Sequence, residues 1–175
     1  MAAPRVLVAG IGNIFCADDG FGVEVIRRLA TAPLPERVRV ADFGIRGVHL
    51  AYEMVDGGYE QVILVDALPQ DAAPGTIAIF EPELVSDEPE DGAAMWDAHA
   101  MQPAAVLRLV QRIGGRIPPV LVVGCQPARL EEDVGLSPAV ASAVDRAAEL
   151  VMRLVLEGED ARVSRDTGAD RRTQP

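Results

Sequence analysis

The first residues with chemistry to offer are two adjacent acids, Asp18 and Asp19. They stand in the string Gly10-Ile11-Gly12-Asn13-Ile14-Phe15-Cys16-Ala17-Asp18-Asp19-Gly20-Phe21-Gly22, just after an apolar run. Paired carboxylates favour a cation. The plain alternative is helix capping, since an acid ahead of a helix satisfies free N–H groups and complements the helix dipole. Only one acid is needed for that, which leaves the other free. Asp66 follows Val62-Ile63-Leu64-Val65, where a carboxylate would meet a ligand at the carboxyl end of a strand or simply start a turn before Ala67-Leu68-Pro69. His99 lies in Trp96-Asp97-Ala98-His99-Ala100-Met101, ahead of a helix opened by Pro103. The other histidine, His49, falls in the first turn of a helix and reads as structural. Two carboxylates and one imidazole form an oxygen and nitrogen set suited to Ni²⁺ or Zn²⁺, with coordination positions to spare. Spacing alone ties these residues only loosely, because they come from three separate segments.

Other chemistries fit less well. All 16 basic residues are arginine, so a phosphate loop with its lysine, a Schiff base and a Ser–Lys dyad are excluded. Gly10-Ile11-Gly12 opens like a dinucleotide fingerprint, but Phe15 stands where the third glycine would allow close helix–strand packing. Asp18 and Asp19 would also repel a pyrophosphate. Cys125, in Gly124-Cys125-Gln126-Pro127, lacks the small residues and the immediate helix of a nucleophile elbow, and reads as a packing residue.

The elements that must position these groups alternate. Arg5–Ala9, Val38–Ala41, Val62–Val65, Thr76–Phe80 and Val120–Gly124 read as strands. Two of them are apolar throughout, as in a sheet covered on both faces. Helical spacing appears over Phe21–Ala30, over Gly47–Val55, after Gln102-Pro103, and after Ser137-Pro138, where serine is the expected N-cap and proline the first helical residue. The order β-α-β-α-β-β-α-β-α predicts a single three-layer α/β/α sandwich with a mostly parallel, partly mixed five-stranded sheet. The short link before Thr76 marks that strand as hairpin-like or an edge. The domain is expected over residues 1–156. Residues 157–175 read as a disordered polar tail. Glu81–Asp97, with seven acids and no base, reads as a long exposed loop.

A chain of 175 residues suits one domain, and a 49% apolar content rules out a disordered one. A net charge of −11 argues against nucleic-acid binding. No apolar run approaches the ~20 residues of a membrane span, and the N-terminal run is too short for a signal peptide. Two distant cysteines without a CxxC pair suggest free thiols in a reducing cytoplasm. No exposed heptad seam is visible, so a monomer is expected.

Gly10-Ile11-Gly12-Asn13 followed by Asp18-Asp19-Gly20-Phe21-Gly22-Val23 resembles the opening signature of the hydrogenase maturation proteases. The similarity continues through Asp42-Phe43-Gly44-Ile45-Arg46-Gly47, the strand ending in Asp66, Ala73-Pro74-Gly75-Thr76, Gly124-Cys125-Gln126-Pro127 and Gly135-Leu136-Ser137-Pro138, over residues 5 to 156. The resemblance implies an endopeptidase that removes the C-terminal extension of a nickel–iron hydrogenase large-subunit precursor after nickel insertion. It also implies that Asp19, Asp66 and His99 contact the metal and serve catalysis. The nickel would be carried by the substrate, and zinc could occupy the site in the free protein. Many members carry Glu at the position of Asp19, so the reach here is one methylene shorter. Whether Asp18 or Asp19 faces the site stays open at this point. Two other readings remain beside the protease: a non-catalytic nickel-binding maturation chaperone and a nucleotide-binding α/β protein.

Overall fold

The computed structural model describes residues 5–82 and 102–169, with side chains as far as Gly158. Five strands form one sheet: β1 (Val6–Ile11), β2 (Val38–Gly44), β3 (Gln61–Ala67), β4 (Ile77–Phe80) and β5 (Val120–Cys125). The spatial order is β2-β1-β3-β5-β4. β1, β2, β3 and β5 run parallel, and β4 lies antiparallel to β5 at the edge. The edge reading of β4 is thus correct. Its partner, however, is the later strand β5 and not the preceding β3.

Helices cover both faces, as the apolar strands require. Strand alternation sends Val6 and Val8 of β1 to one side, with Ile63 and Val65 of β3. There they meet Phe21, Val25, Ile26 and Leu29 of α1 (Phe21–Leu29) and Ala147, Val151 and Val155 of α5 (Val144–Ala169). Leu7, Ala9 and Ile11 of β1 and Val62 and Leu64 of β3 point the other way. They pack on Leu50, Ala51 and Met54 of α2 (Gly47–Asp56) and Val106, Leu107 and Val110 of α3 (Pro103–Arg112). The three-layer α/β/α sandwich with a mixed five-stranded sheet is the observed architecture.

The last helical stretch departs from the sequence reading. A short α4 (Pro138–Ala141) ends before α5 begins at Val144. Ser137 occupies the N-cap position of α4, yet its hydroxyl caps nothing there. The backbone of α5 continues to Ala169, past the boundary expected at 156, in a stretch without the proline that would stop it.

Glycine packs the helix against the sheet. A Cβ on Gly22 would overlap the carbonyl oxygens of Val65 and Ile11, and one on Gly10 would overlap the carbonyl oxygen of Gly22. α1 therefore lies directly on β1 and β3. The close-packing glycine missing at Phe15 is supplied by Gly22, the second residue of α1. Among the described residues no helix is long and apolar enough to cross a membrane.

Candidate functional site

Asp66 lies inside β3, as its next-to-last residue, rather than after it. It pairs in register with Gly124 of β5 and is only 4% exposed. Strand alternation places it on the side of Leu64, the face covered by α2 and α3. Burial holds its carboxyl well above the ordinary value of 3.8, the charge of Asp19 pushes it further, and an N–H from Ala67 only partly opposes them. Asp19 is half-buried and also raised, by burial, against one opposing bond: the Asn13 N–H donates to its Oδ2 at 2.7 Å. The two carboxyls thus feel each other at the carboxyl end of the sheet, which suits sharing a proton or holding a cation.

Asp18 does something different. It is fully buried and points into the fold. Its Oδ2 accepts N–H bonds from Ala128 (2.8 Å) and Arg129 (3.0 Å) and the Ser137 hydroxyl (2.9 Å). Its Oδ1 accepts the Ser137 N–H at 2.6 Å. Burial raises its pKa, but these bonds to the charged form outweigh burial and hold it below 3.8. With both oxygens engaged, Asp18 is the clasp of the site. Asp19 is the acid that meets Asp66. Neither caps a helix through its side chain: Asp18 and Asp19 sit within a 3-10 turn, Ala17–Gly20, and neither that turn nor α1 carries a side-chain cap.

The loop carrying these acids is pinned. Ala17 holds a left-handed φ of 47°. Its N–H donates to Asp133 at 2.8 Å, while the Asp133 N–H returns a bond to Phe15 at 3.1 Å. Gly12, at φ 128°, lets the backbone carbonyl of Asp19 fold directly onto it, where any side chain would overlap. That space is filled by the chain's own backbone, which leaves the Gly10-x-Gly12 turn no cradle for a phosphate.

His99 lies outside the described residues, as does most of the acidic stretch Glu81–Asp97. Among the described residues no three His, Cys, Asp or Glu side chains converge on a common point. His49 is exposed in the first turn of α2. Cys125 is fully buried, and burial, then the charge of Asp18, push its thiol up to about 11. A packing role fits it. Cys16 and Cys125 are both free thiols.

The family of hydrogenase maturation proteases matches residues 23–154 of the chain. The chain belongs to the hydrogenase maturation protease family. It is 33% identical over 156 residues to the hydrogenase 2 maturation protease of Escherichia coli, covering 87% of this chain and 92% of that one. It is 38% identical over 154 residues to the hydrogenase expression/formation protein HupD of Rhodobacter capsulatus, covering 86% and 71%. Among solved structures, the hydrogenase maturating endopeptidase HybD from E. coli superposes with a TM-score of 0.72 at 29% identity, over 88% of this chain and 93% of that one. This member of the protease family therefore carries the buried Asp66 and the half-buried Asp19 where open α/β sheets place ligands.

Two contributions of this site were hidden in the sequence. Asp18 looked interchangeable with Asp19, and Ser137 looked like a helix cap. Their partnership spans 119 positions and has no local signature. The packing role of Gly22 was legible in principle, from the second glycine pair Gly20-Phe21-Gly22.

Proposed function

We propose that this chain is the endopeptidase that trims the C-terminal extension of a nickel–iron hydrogenase large-subunit precursor once nickel is in place. Asp19, Asp66 and His99 are the residues that meet the substrate-borne nickel. The observation that carries the reading is the burial of Asp66 against Asp19. Two carboxylates forced together with so little water hold a strong preference for a divalent cation, which would offset both the burial cost and their repulsion. His99 supplies the nitrogen donor. It stands four residues ahead of Pro103, and α3 covers the face of the sheet to which Asp66 belongs. In the free protein the same set would accept zinc.

The division of labour follows from the environments. Burial lifts both carboxyls above the ordinary range while no metal is bound, and one of the two carboxylates is suited to take a proton from attacking water. This is aspartate chemistry without a covalent intermediate, in keeping with a protonated, buried Cys125. Cleavage that requires nickel makes the protease a checkpoint on metal insertion. The free thiols and the expected monomer fit an enzyme working in the cytoplasm.

Incubation with nickel-loaded and nickel-free precursor, followed on a gel, tests the reading. The shortened subunit is expected only with the loaded precursor. Asp66→Ala should lower the rate by about 100-fold or more. Undiminished cleavage by that variant, or equal cleavage of both precursors, would overturn the assignment.

A further inference from the structure

Three large apolar side chains stand open to solvent on the two loops that frame the carboxylate pair. Phe15 is 64% exposed, Val134 73% and Leu130 44%. Exposed apolar residues scattered singly need no explanation. These are not scattered. Cys16 and Asp133 form a parallel bridge, and Ala17 and Phe15 exchange backbone bonds with Asp133. The Asp18 N–H donates to Arg129 at 3.2 Å, while the Asp18 carboxylate grips Ala128 and Arg129. One hydrogen-bonded unit thus carries the exposed Phe15, Leu130 and Val134. The same unit sets Asp19 against Asp66.

The charges around the patch are one-sided. Glu131, Glu132 and Asp133 are exposed, and the one guanidinium among them, Arg129, is engaged by Glu131 and Asp133. Such a surface repels an acidic partner and attracts an apolar one that carries a basic side chain. A rim of this kind also loses little conformational entropy on docking, because its backbone is already fixed.

We propose that this clasped rim is the seat for the substrate chain beside the scissile bond, with Phe15 and Val134 receiving an apolar side chain and the Glu131–Asp133 carboxylates receiving a basic one. The proposal rests on the reading of the site given above and deepens it: the carboxylate pair meets the metal, and the rim selects the peptide. Docking here contributes affinity rather than chemistry, so the rim residues should act on KM and leave kcat alone.

The test uses the full chain and the nickel-loaded precursor. Phe15→Ser with Val134→Ser should raise KM about tenfold while kcat stays within about twofold and Tm is unchanged, since both side chains are exposed. Glu131→Gln with Glu132→Gln should raise KM by about threefold and weaken its dependence on salt. Leu156→Ser, at an exposed apolar site beside Val155, whose carbonyl accepts from Arg37, serves as the control and should change nothing. Calorimetric binding of the precursor to an Asp66→Ala background reads the same tenfold loss without needing turnover. A rim that binds normally in that background overturns the proposal even if cleavage fails. Absence of cleavage by the wild-type chain, with binding intact and rim-dependent, would instead overturn the protease reading. Unchanged KM, a fall in kcat alone, or a wild-type dimer dispersed by the rim substitutions would each sink the rim as a substrate seat.

Discussion

Asp66 is a residue whose ionisation works against the fold. A buried carboxyl with a raised pKa binds its proton more tightly folded than unfolded. Stability is therefore fully present below about pH 4, where both states are protonated, and is lost as pH rises through the folded value. At neutral pH, burying Asp66 costs stability relative to the unfolded chain, where the carboxyl is ionised in water, and a neutral amide of the same shape removes that cost. Asp66→Asn should thus raise Tm by a few degrees at pH 7 while cleavage is lost. The gain should shrink to nothing as the melt is repeated toward pH 4. A lower Tm at pH 7 would mean that Asp66 is held by bonds beyond those identified. The thiols diverge in the same manner, through environment. Cys125 is fully buried and its thiol sits at about 11, whereas Cys16 is partly exposed. Alkylation at pH 8 followed by peptide mass spectrometry should label Cys16 in the native protein and reach Cys125 only in denaturant.

Elements bring these residues together, and glycine decides how closely. α1 can lie on β1 and β3 only because Gly10 and Gly22 have no side chain where backbone carbonyls stand. Gly22→Ala should cost about 3 kcal/mol or more, since two strand carbonyls cannot turn away as a side chain would. Gly58→Ala makes the useful contrast. Gly58 has a φ of 62° and open space around it, so its alanine pays only the left-handed penalty of about 1–2 kcal/mol. Urea titration of both variants measures the difference. Much of this level was readable in the residues. The unbroken apolar runs Val62–Val65 and Val120–Val123 announced strands covered twice, and the core on either side of β3 and β5 confirms it. The pairing of β4 with β5 was not readable, because four residues far from their partner in sequence carry no mark of which neighbour they choose. Likewise Ser137-Pro138 held a correct boundary but a wrong partner: its hydroxyl serves Asp18, a contact that exists only once the loops after β1 and β5 meet.

At the scale of the whole molecule, the candidate site depends on loops from β1 and β5 being drawn over the end of β3. That arrangement is anchored from below by α5 against α1 and the sheet. The site was legible as a set of residue types and a family resemblance; its division into a clasp, Asp18, and an acid that faces Asp66, Asp19, was not, since both are the same side chain one position apart. The boundary of the domain tests how far the anchoring reaches. Within α5, Ala147, Ala148, Val151 and Val155 are buried, and Val155 also accepts a bond from Arg37 at 3.1 Å through its carbonyl. The described core ends there. A chain cut after Glu149 loses two fully buried valines, roughly 3–6 kcal/mol of burial, against a typical total of about 5–15 kcal/mol. It should unfold near ambient temperature and release the Ser137 grip on Asp18 with it. A chain cut after Glu157 keeps every one of those contacts, so its Tm should fall by no more than a few degrees and its cleavage of the nickel-loaded precursor should persist. Circular dichroism melts of the two truncations decide the matter: a large loss in the longer one would show that the final turns of α5, up to Ala169, pack as part of the fold.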